Sequence, residues 1–145
     1  MSSTFQFSGE NGHIAITALG YEREDVDNED DANWLAAVVS VDVPPFAGEF
    51  KAALQTDELA LLRDMLQAPL QSLSGRVDFE NTEEDLRIEL TFASRGSVLI
   101  TGTAKPHSHP GTQLHFRIQS DQSAINLASQ DLSSLLRLFP ARGRR

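Results

Sequence analysis

The chain contains no cysteine among its 145 residues. This absence excludes disulfides, thiol catalysis and the zinc and iron–sulfur sites that cysteine builds. No run of eighteen apolar residues occurs, and the first residues, MSSTFQFSGENG, lack the basic and apolar regions of a secretory signal. We therefore expect a cytoplasmic protein that does not enter a membrane.

Basic residues are scarce in most of the chain. Residues 1–136 carry 21 acidic and eight basic side chains, a balance of −13, and four arginines in the last nine residues bring the formal net charge to −9. A field of this sign repels phosphate backbones, so direct nucleic-acid binding is disfavoured except by the basic end. The natural counterpart of this surface is a basic partner.

Motifs for catalysis are missing as well. The sequence contains no G-x-S-x-G nucleophile turn, no Walker loop and no dinucleotide fingerprint. Ser, His and Asp all occur, but without mutual geometry they do not indicate a triad. We expect a protein that is not an enzyme and holds no cofactor.

Short segments that alternate apolar and polar residues predict β-strands along the whole chain. They lie at residues 5–7, 13–21, 48–55, 77–79, 86–92, 98–100 and 114–118, and residues 33–43 form the strongest strand, which is apolar on both faces at its start and on one face at its end. Polar turns separate neighbouring segments, which is typical of an antiparallel meander with one solvated face. Ile125 and Leu127 indicate a further short strand.

Two segments have apolar residues at the three- and four-residue spacing of a helix. The first is expected to begin at Thr56 and to end near Gln67, because Pro69 disfavours helical backbone at the preceding residue. The second is expected to begin at Ser129 or Asp131 and to stop before Pro140. The order of elements predicts an α+β fold, a mostly antiparallel meander sheet with two helices in a two-layer single domain over residues 1–139, followed by a basic flexible tail at 140–145.

The most acidic segment is YEREDVDNEDD, in which residues 22–31, here called the acidic loop, hold seven carboxylates. A run of like charges without an apolar period predicts a solvated loop between strands. An EF-hand is excluded, since the glycine and the closing glutamate of that pattern are missing. The carboxylates that we predict to contact a basic protein are Glu24, Asp25, Asp27, Glu29, Asp30 and Asp31.

His107 and His109 form an H-x-H pair in the segment KPHSHPG. Such a pair ligates zinc, copper or iron when a third ligand comes from elsewhere in the fold. Two prolines and a glycine favour an ordinary exposed loop instead. The two histidines are therefore weak candidates for a metal site, and we expect no metal.

Several stretches together resemble a known family. These are NWLAAVVSVDVPPFAGEFKAAL, the helix TDELALLRDMLQAPL, the strand GSVLITGTA, and QLHFRIQSDQSAINLASQDLSSLL. Over about residues 32–139 the chain resembles small bacterial α+β proteins grouped with WapI-type immunity proteins. The resemblance implies a cytoplasmic antitoxin that binds and blocks a bacterial toxin without catalysis, and the toxins of that group include RNA-cleaving ones. The segment GEFKAAL–TDEL is a second candidate contact surface.

Three hypotheses follow from the sequence. The leading one is an immunity protein that neutralises a basic protein toxin through an acidic surface, and the charge favours a nuclease as that toxin. The second is a general interaction module, with a homodimer through an exposed edge strand such as residues 5–7. The third is a small-molecule or metal-binding protein that uses His107 and His109.

Overall fold

The computed structural model describes residues 3–23 and 32–142 of the chain. Within these ranges it contains eight strands and two helices, and the order of four strands followed by one helix occurs twice. The elements are β1 (Thr4–Gly9), β2 (Gly12–Tyr21), β3 (Trp34–Val43), β4 (Phe46–Gln55), α1 (Thr56–Ser72), β5 (Gly75–Glu80), β6 (Leu86–Phe92), β7 (Ser97–Ala104), β8 (Leu114–Asp121) and α2 (Gln122–Leu138). The predicted α+β class and the antiparallel meander are confirmed.

The strands divide into two sheets and not one. β1 to β4 form the first sheet and β5 to β8 the second, each in sequence order and each antiparallel throughout. Apolar residues at alternate positions of both sheets face a single core, which the helices complete. Its largest fully buried side chains include Phe5, Phe7, Ile14, Leu35, Leu62, Leu66, Ile88 and Leu90.

The two sheets meet where the turn between β1 and β2 touches β8. The Glu10 backbone N–H donates to the Gln119 carbonyl at 2.8 Å, and the Asn11 side chain bonds the backbone of β8 in both directions. A Cβ built on Gly9 would lie 2.1 Å from that same Gln119 oxygen. Only glycine allows the backbones to approach this closely, so Gly9 is required for the contact that joins the two sheets.

α1 continues past the predicted end near Gln67. It runs to Ser72 with Pro69 inside, and Leu73 closes it in the left-handed conformation with its N–H on the Pro69 carbonyl at 2.8 Å. Pro69 is buried, so packing of its ring outweighs the backbone donor that it lacks. The N-cap is Gln55, one residue before the predicted Thr56, which is buried and donates its hydroxyl to the Asn33 carbonyl.

The prediction for α2 was wrong at its start. Ile125 and Leu127 belong to the helix and not to a short strand, and the helix begins at Gln122 and not near Ser129. The Asp121 carboxylate caps it by accepting from the Ala124 N–H at 2.9 Å. Leu127 is 62% exposed, so its alternation with the buried Ile125 carries no strand signal.

Trp34 is the first residue of β3, lies on the face that points away from the core and is half-buried.

The sequence predicts a flexible tail from residue 140, and this stays a prediction. Residues 140–142 lie against the first sheet, and residues 143–145 are outside the described ranges.

Candidate functional site

The six carboxylates that we predict to contact a partner, Glu24, Asp25, Asp27, Glu29, Asp30 and Asp31, lie outside the described residues. The strands on either side of the acidic loop are described. Tyr21 ends β2 on one side, and Trp34 opens β3 on the other. Trp34 pairs with Gln55, so the loop is attached at the end of the first sheet where α1 begins.

Arg142 joins the two ends of the acidic loop. Its guanidinium donates to the Ala32 carbonyl at 2.7 and 3.2 Å and to the Arg23 carbonyl at 2.6 Å. The same group lies 3.5 Å from the centre of the Tyr21 ring, in cation–π geometry. A planar fork of donors suits this bridge, because one side chain can donate to two separate carbonyls.

The Asn33 side chain forms two hydrogen bonds with the backbone of Arg142. This side chain is buried and accepts from the Arg142 N–H at 2.6 Å while it donates to the Arg142 carbonyl at 3.2 Å. The Tyr21 hydroxyl donates to the Pro140 carbonyl, and its pKa is raised by burial, against the opposing effect of the Arg142 charge. Sequence reasoning missed this contact, since nothing in ARGRR distinguishes Arg142 from its neighbours.

We expect Arg142→Met to lower the free energy of unfolding by about 1–3 kcal/mol, because two backbone carbonyls lose a charged donor. The Tyr21 ring proton resonances should shift as the cation leaves the ring face. Urea denaturation and proton NMR measure the two effects. Arg137→Met is the matched control, since Arg137 is exposed and donates to the nearby Ser134 hydroxyl at 3.0 Å. Equal stability of the two variants would contradict the bridge.

A second acidic segment lies near the first. The turn between β5 and β6 is built by Asn81, whose buried side chain bonds the Asp85 carboxylate and accepts from the Leu86 N–H at 3.0 Å. This turn presents Glu83 and Glu84 to solvent. A cleft of about 450 Å³ brings Glu83 and Asp85 of the turn to one place with Glu22, at the start of the acidic loop, and Lys51. The sequence indicated each acidic segment but not their proximity.

Glu58 ties the start of α1 to this turn. Its carboxylate accepts from the Gln55 N–H at 2.7 Å and from the N–H and hydroxyl of Thr82 at 2.8 and 3.1 Å. Burial raises the pKa of Glu58, and the nearby Asp85 charge raises it further, while the three hydrogen bonds oppose the shift. These hydrogen bonds therefore connect the first turn of α1 to the β5–β6 turn.

The segment GEFKAAL–TDEL occupies β4 and the start of α1. Gly48 and Glu49, at the start of this segment, are exposed, as are the two residues before it, Phe46 (63% exposed) and Ala47. β4 ends the strand order of the first sheet, so in the described chain no strand pairs with its outer edge. This part of the second predicted contact surface is open to a partner.

The two histidines of the H-x-H pair have separate contacts. The His107 ring bonds the Glu83 carbonyl, and the His109 ring lies 3.0 Å from the Ser108 hydroxyl. Within residues 3–23 and 32–142 no group of three His, Asp or Glu side chains has the arrangement of a metal site. The structure therefore offers no third ligand for the pair in these ranges.

The outer face of the second sheet carries ion pairs. Arg87 donates to both oxygens of Asp78, at 3.2 and 2.8 Å, and Arg76 lies 3.1 Å from Glu89. The hydrogen bonds from Arg87 are the main reason why the pKa of Asp78 is lowered. On this face carboxylates are thus paired with arginines, whereas carboxylates are in excess in the acidic cleft.

We expect Arg87→Met to raise the pKa of Asp78 towards its ordinary value of 3.8. In the wild type the lowered pKa makes ionised Asp78 stabilising above the ordinary value, and this contribution is lost as the pH falls through the lower folded value. The variant should lose that acid-range dependence. Carbon NMR titration of the carboxyl measures the shift, with Arg63→Met as the control, since the half-buried Arg63 pairs with Asp64. An unchanged Asp78 titration in Arg87→Met would refute the assignment.

A comparison with known protein families identifies the family of this chain. The chain matches the family described as immunity protein WapI-like over residues 5–140. The chain belongs to the WapI-like immunity protein family. The match confirms the resemblance that the sequence of this WapI-like protein indicated. Membership of the family supports an immunity role with a protein toxin as the partner.

Two further comparisons concern the WapI-like chain. No curated protein matches it. A solved chain from the "CdiA-CT/CdiI toxin and immunity complex from Enterobacter cloacae" is similar at 12% identity and a TM-score of 0.40, with 82% of this chain and 97% of that chain covered. In the described ranges, neither helix has the length and apolar character that spanning a membrane requires.

Proposed function

We propose that the chain neutralises a cognate bacterial toxin in the cytoplasm by direct binding and without catalysing a reaction. Membership of an immunity family over residues 5–140 carries this proposal. The sequence supports it, because it contains no motif of nucleophilic, phosphate-binding or dinucleotide chemistry.

The contact surface that we propose is the acidic one. It combines the acidic loop with Glu83 and Glu84 of the β5–β6 turn and with the exposed start of α1 at Asp57. The shared cleft at Glu22, Glu83 and Asp85 supports the combination, and the Arg142 bridge holds the base of the loop beside it. Charge of one sign on neighbouring segments raises the local potential, which steers a basic partner to this end of the molecule.

A nuclease is the toxin class that fits this charge best. Nuclease sites attract phosphates with basic residues, and an acidic protein occupies such a cleft by the same attraction. A net charge of −9 gives the association a long-range component that salt weakens. The proposal thus specifies a basic toxin with fast, salt-sensitive binding.

Co-expression tests the proposal. The chain is produced together with the toxin-like product of the neighbouring upstream gene in a host that this toxin kills. We expect growth to be restored and the two proteins to co-purify. Failure to protect against, or to bind, any toxin-like product encoded beside it would overturn the proposal.

A further inference from the structure

An open trough runs along the outer edge of β4. At residues 46–50 a space of about 430 Å³ is bordered by Ala104, Pro106 and Leu114, and beside residues 51–53 a cleft of about 450 Å³ opens towards Glu83 and also extends over the face of the first sheet to Ala36 and Leu19. We call this channel, between residues 46–53 and the wall formed by residues 104–114 with the β5–β6 turn, the β4 trough. Eight strand residues span about 26 Å, enough for an extended peptide segment.

The backbone of β4 offers unpaired groups to this trough. Val43 and Phe46 pair across the two-residue turn that joins β3 to β4, and the register runs without a shift to Gln55. Because hydrogen-bonded and non-bonded pairs alternate, the even-numbered residues bond β3, and residues 47, 49, 51 and 53 direct their N–H and C=O groups outwards. An exposed edge of this kind pairs readily with an added strand.

The two ends of the β4 trough differ in polarity. One end presents the exposed Phe46 with Phe50 and Leu114, and the other presents Glu22 and Glu83. An extended segment that complements both ends carries apolar side chains opposite residues 46–50 and basic side chains opposite residues 51–53. Lys51, the one basic side chain at the acidic end, leaves carboxylates in excess there.

We propose that the β4 trough binds an extended segment of the toxin, apolar at one end and basic at the other, as a fifth strand of the first sheet. This inference rests on the proposed function and names where and how the toxin is held. A second copy of this chain fits less well, because each copy has a net charge of −9. Antiparallel pairing of two β4 strands would also set the apolar end of each against the acidic end of the other.

Two substitutions test the trough in the full-length chain, against the toxin domain that co-expression identifies. Ala47→Pro removes an outward N–H at an edge position where proline is tolerated, and Ala47→Ser is the control that keeps it. Gly48→Leu fills the space, since a Cβ at Gly48 meets no atom within 4 Å, and Gly48→Ala is its small control. We expect each test variant to bind the toxin at least about tenfold more weakly than its control in calorimetric titration.

Hydrogen exchange gives a signature that a merely destabilised chain would not show. The amides of residues 47, 49 and 51 should exchange quickly in the free chain and slowly in the complex, whereas those of residues 48 and 50 are protected in both. Urea midpoints of the four variants establish that they remain folded, and Gly48→Leu keeps the test decisive if Ala47→Pro unfolds.

The outcomes separate the two proposals. If the wild type binds no neighbouring toxin domain, the proposed function and this inference both fail. If the wild type binds and both test variants bind equally well, this inference alone is overturned. A wild-type dimer in light scattering that Ala47→Pro dissociates would place a second copy in the trough and would also overturn it.

Discussion

Replacing the six carboxylates of the acidic loop by amides is expected to slow association with the toxin about 10- to 1000-fold at low salt. The substituted residues are Glu24, Asp25, Asp27, Glu29, Asp30 and Asp31. The loss falls on the association rate because exposed charges steer an encounter more than they hold a formed complex. Stopped-flow association at two salt concentrations measures it, and the wild-type rate should fall towards that of the variant as salt increases.

A pair of double variants controls for the change in net charge. Asp27→Asn with Glu29→Gln removes two charges in the acidic loop, and Glu10→Gln with Asp64→Asn removes two at exposed positions elsewhere. Glu10 lies in the β1–β2 turn, at the opposite end of the first sheet. Only the loop variant should slow association substantially. Equal effects of the two pairs would show that total charge, and not the acidic loop, attracts the toxin.

Gly9→Ala is expected to lower the free energy of unfolding by about 3 kcal/mol or more, because the added methyl group overlaps backbone that has no room to move. The Cβ would lie 2.1 Å from the Gln119 carbonyl oxygen and 2.7 Å from a methyl carbon of the buried Ile118. Relief of this overlap requires the turn between β1 and β2 to separate from β8. The midpoint temperature of thermal unfolding should fall by roughly 6–12 °C at this chain length.

Gly48→Ala is the matched control for that prediction. It makes the same chemical change in a strand of the same sheet, but its Cβ meets open space. We expect its stability to stay within about 0.5 kcal/mol of the wild type. Similar unfolding of the two variants would mean that the close approach at Gly9 does not hold the sheets together.

Strand periodicity was the most informative signal in this sequence. β6 alternates apolar and polar residues throughout, whereas β3 is apolar from Trp34 to Val39 and alternates only towards Val43, and both lie where the sequence predicts a strand. A single meander was expected because short polar turns separate most of the neighbouring strand segments. What divides the strands is α1, which covers the core between β4 and β5 and lets a new sheet begin. Period alone does not show where one sheet ends.

The errors at the helices have local causes. Ile125 and Leu127 alternate as a strand would, but the same Ile125 also begins the helical series with Ala128 and Leu132. The cap at Asp121 decides between the two periods, since it satisfies an N–H of the first turn. At Pro69 the steric rule for the preceding residue was outweighed by burial of the proline ring.

Contacts between distant residues were outside the reach of the sequence. Arg142, near the end of the chain, donates to the carbonyls of Arg23 and Ala32, which lie more than 100 residues earlier. The acidic cleft likewise brings Glu22 near Glu83. Composition indicated an acidic surface, and the family resemblance, which is confirmed, indicated an immunity role. Neither shows that Glu22 and Glu83 meet near the unpaired edge of β4. That arrangement follows only from the topology of the sheets.

Titration of purified toxin with this chain tests the central claim of neutralisation by binding most directly. Toxin activity is measured at a concentration well above the dissociation constant while the chain is added in steps. Non-catalytic binding predicts a linear loss that reaches zero at one chain per toxin and does not change with incubation time. Complete inactivation at a small fraction of one equivalent, deepening with time, would contradict the claim, because it requires each chain to inactivate many toxin molecules in turn.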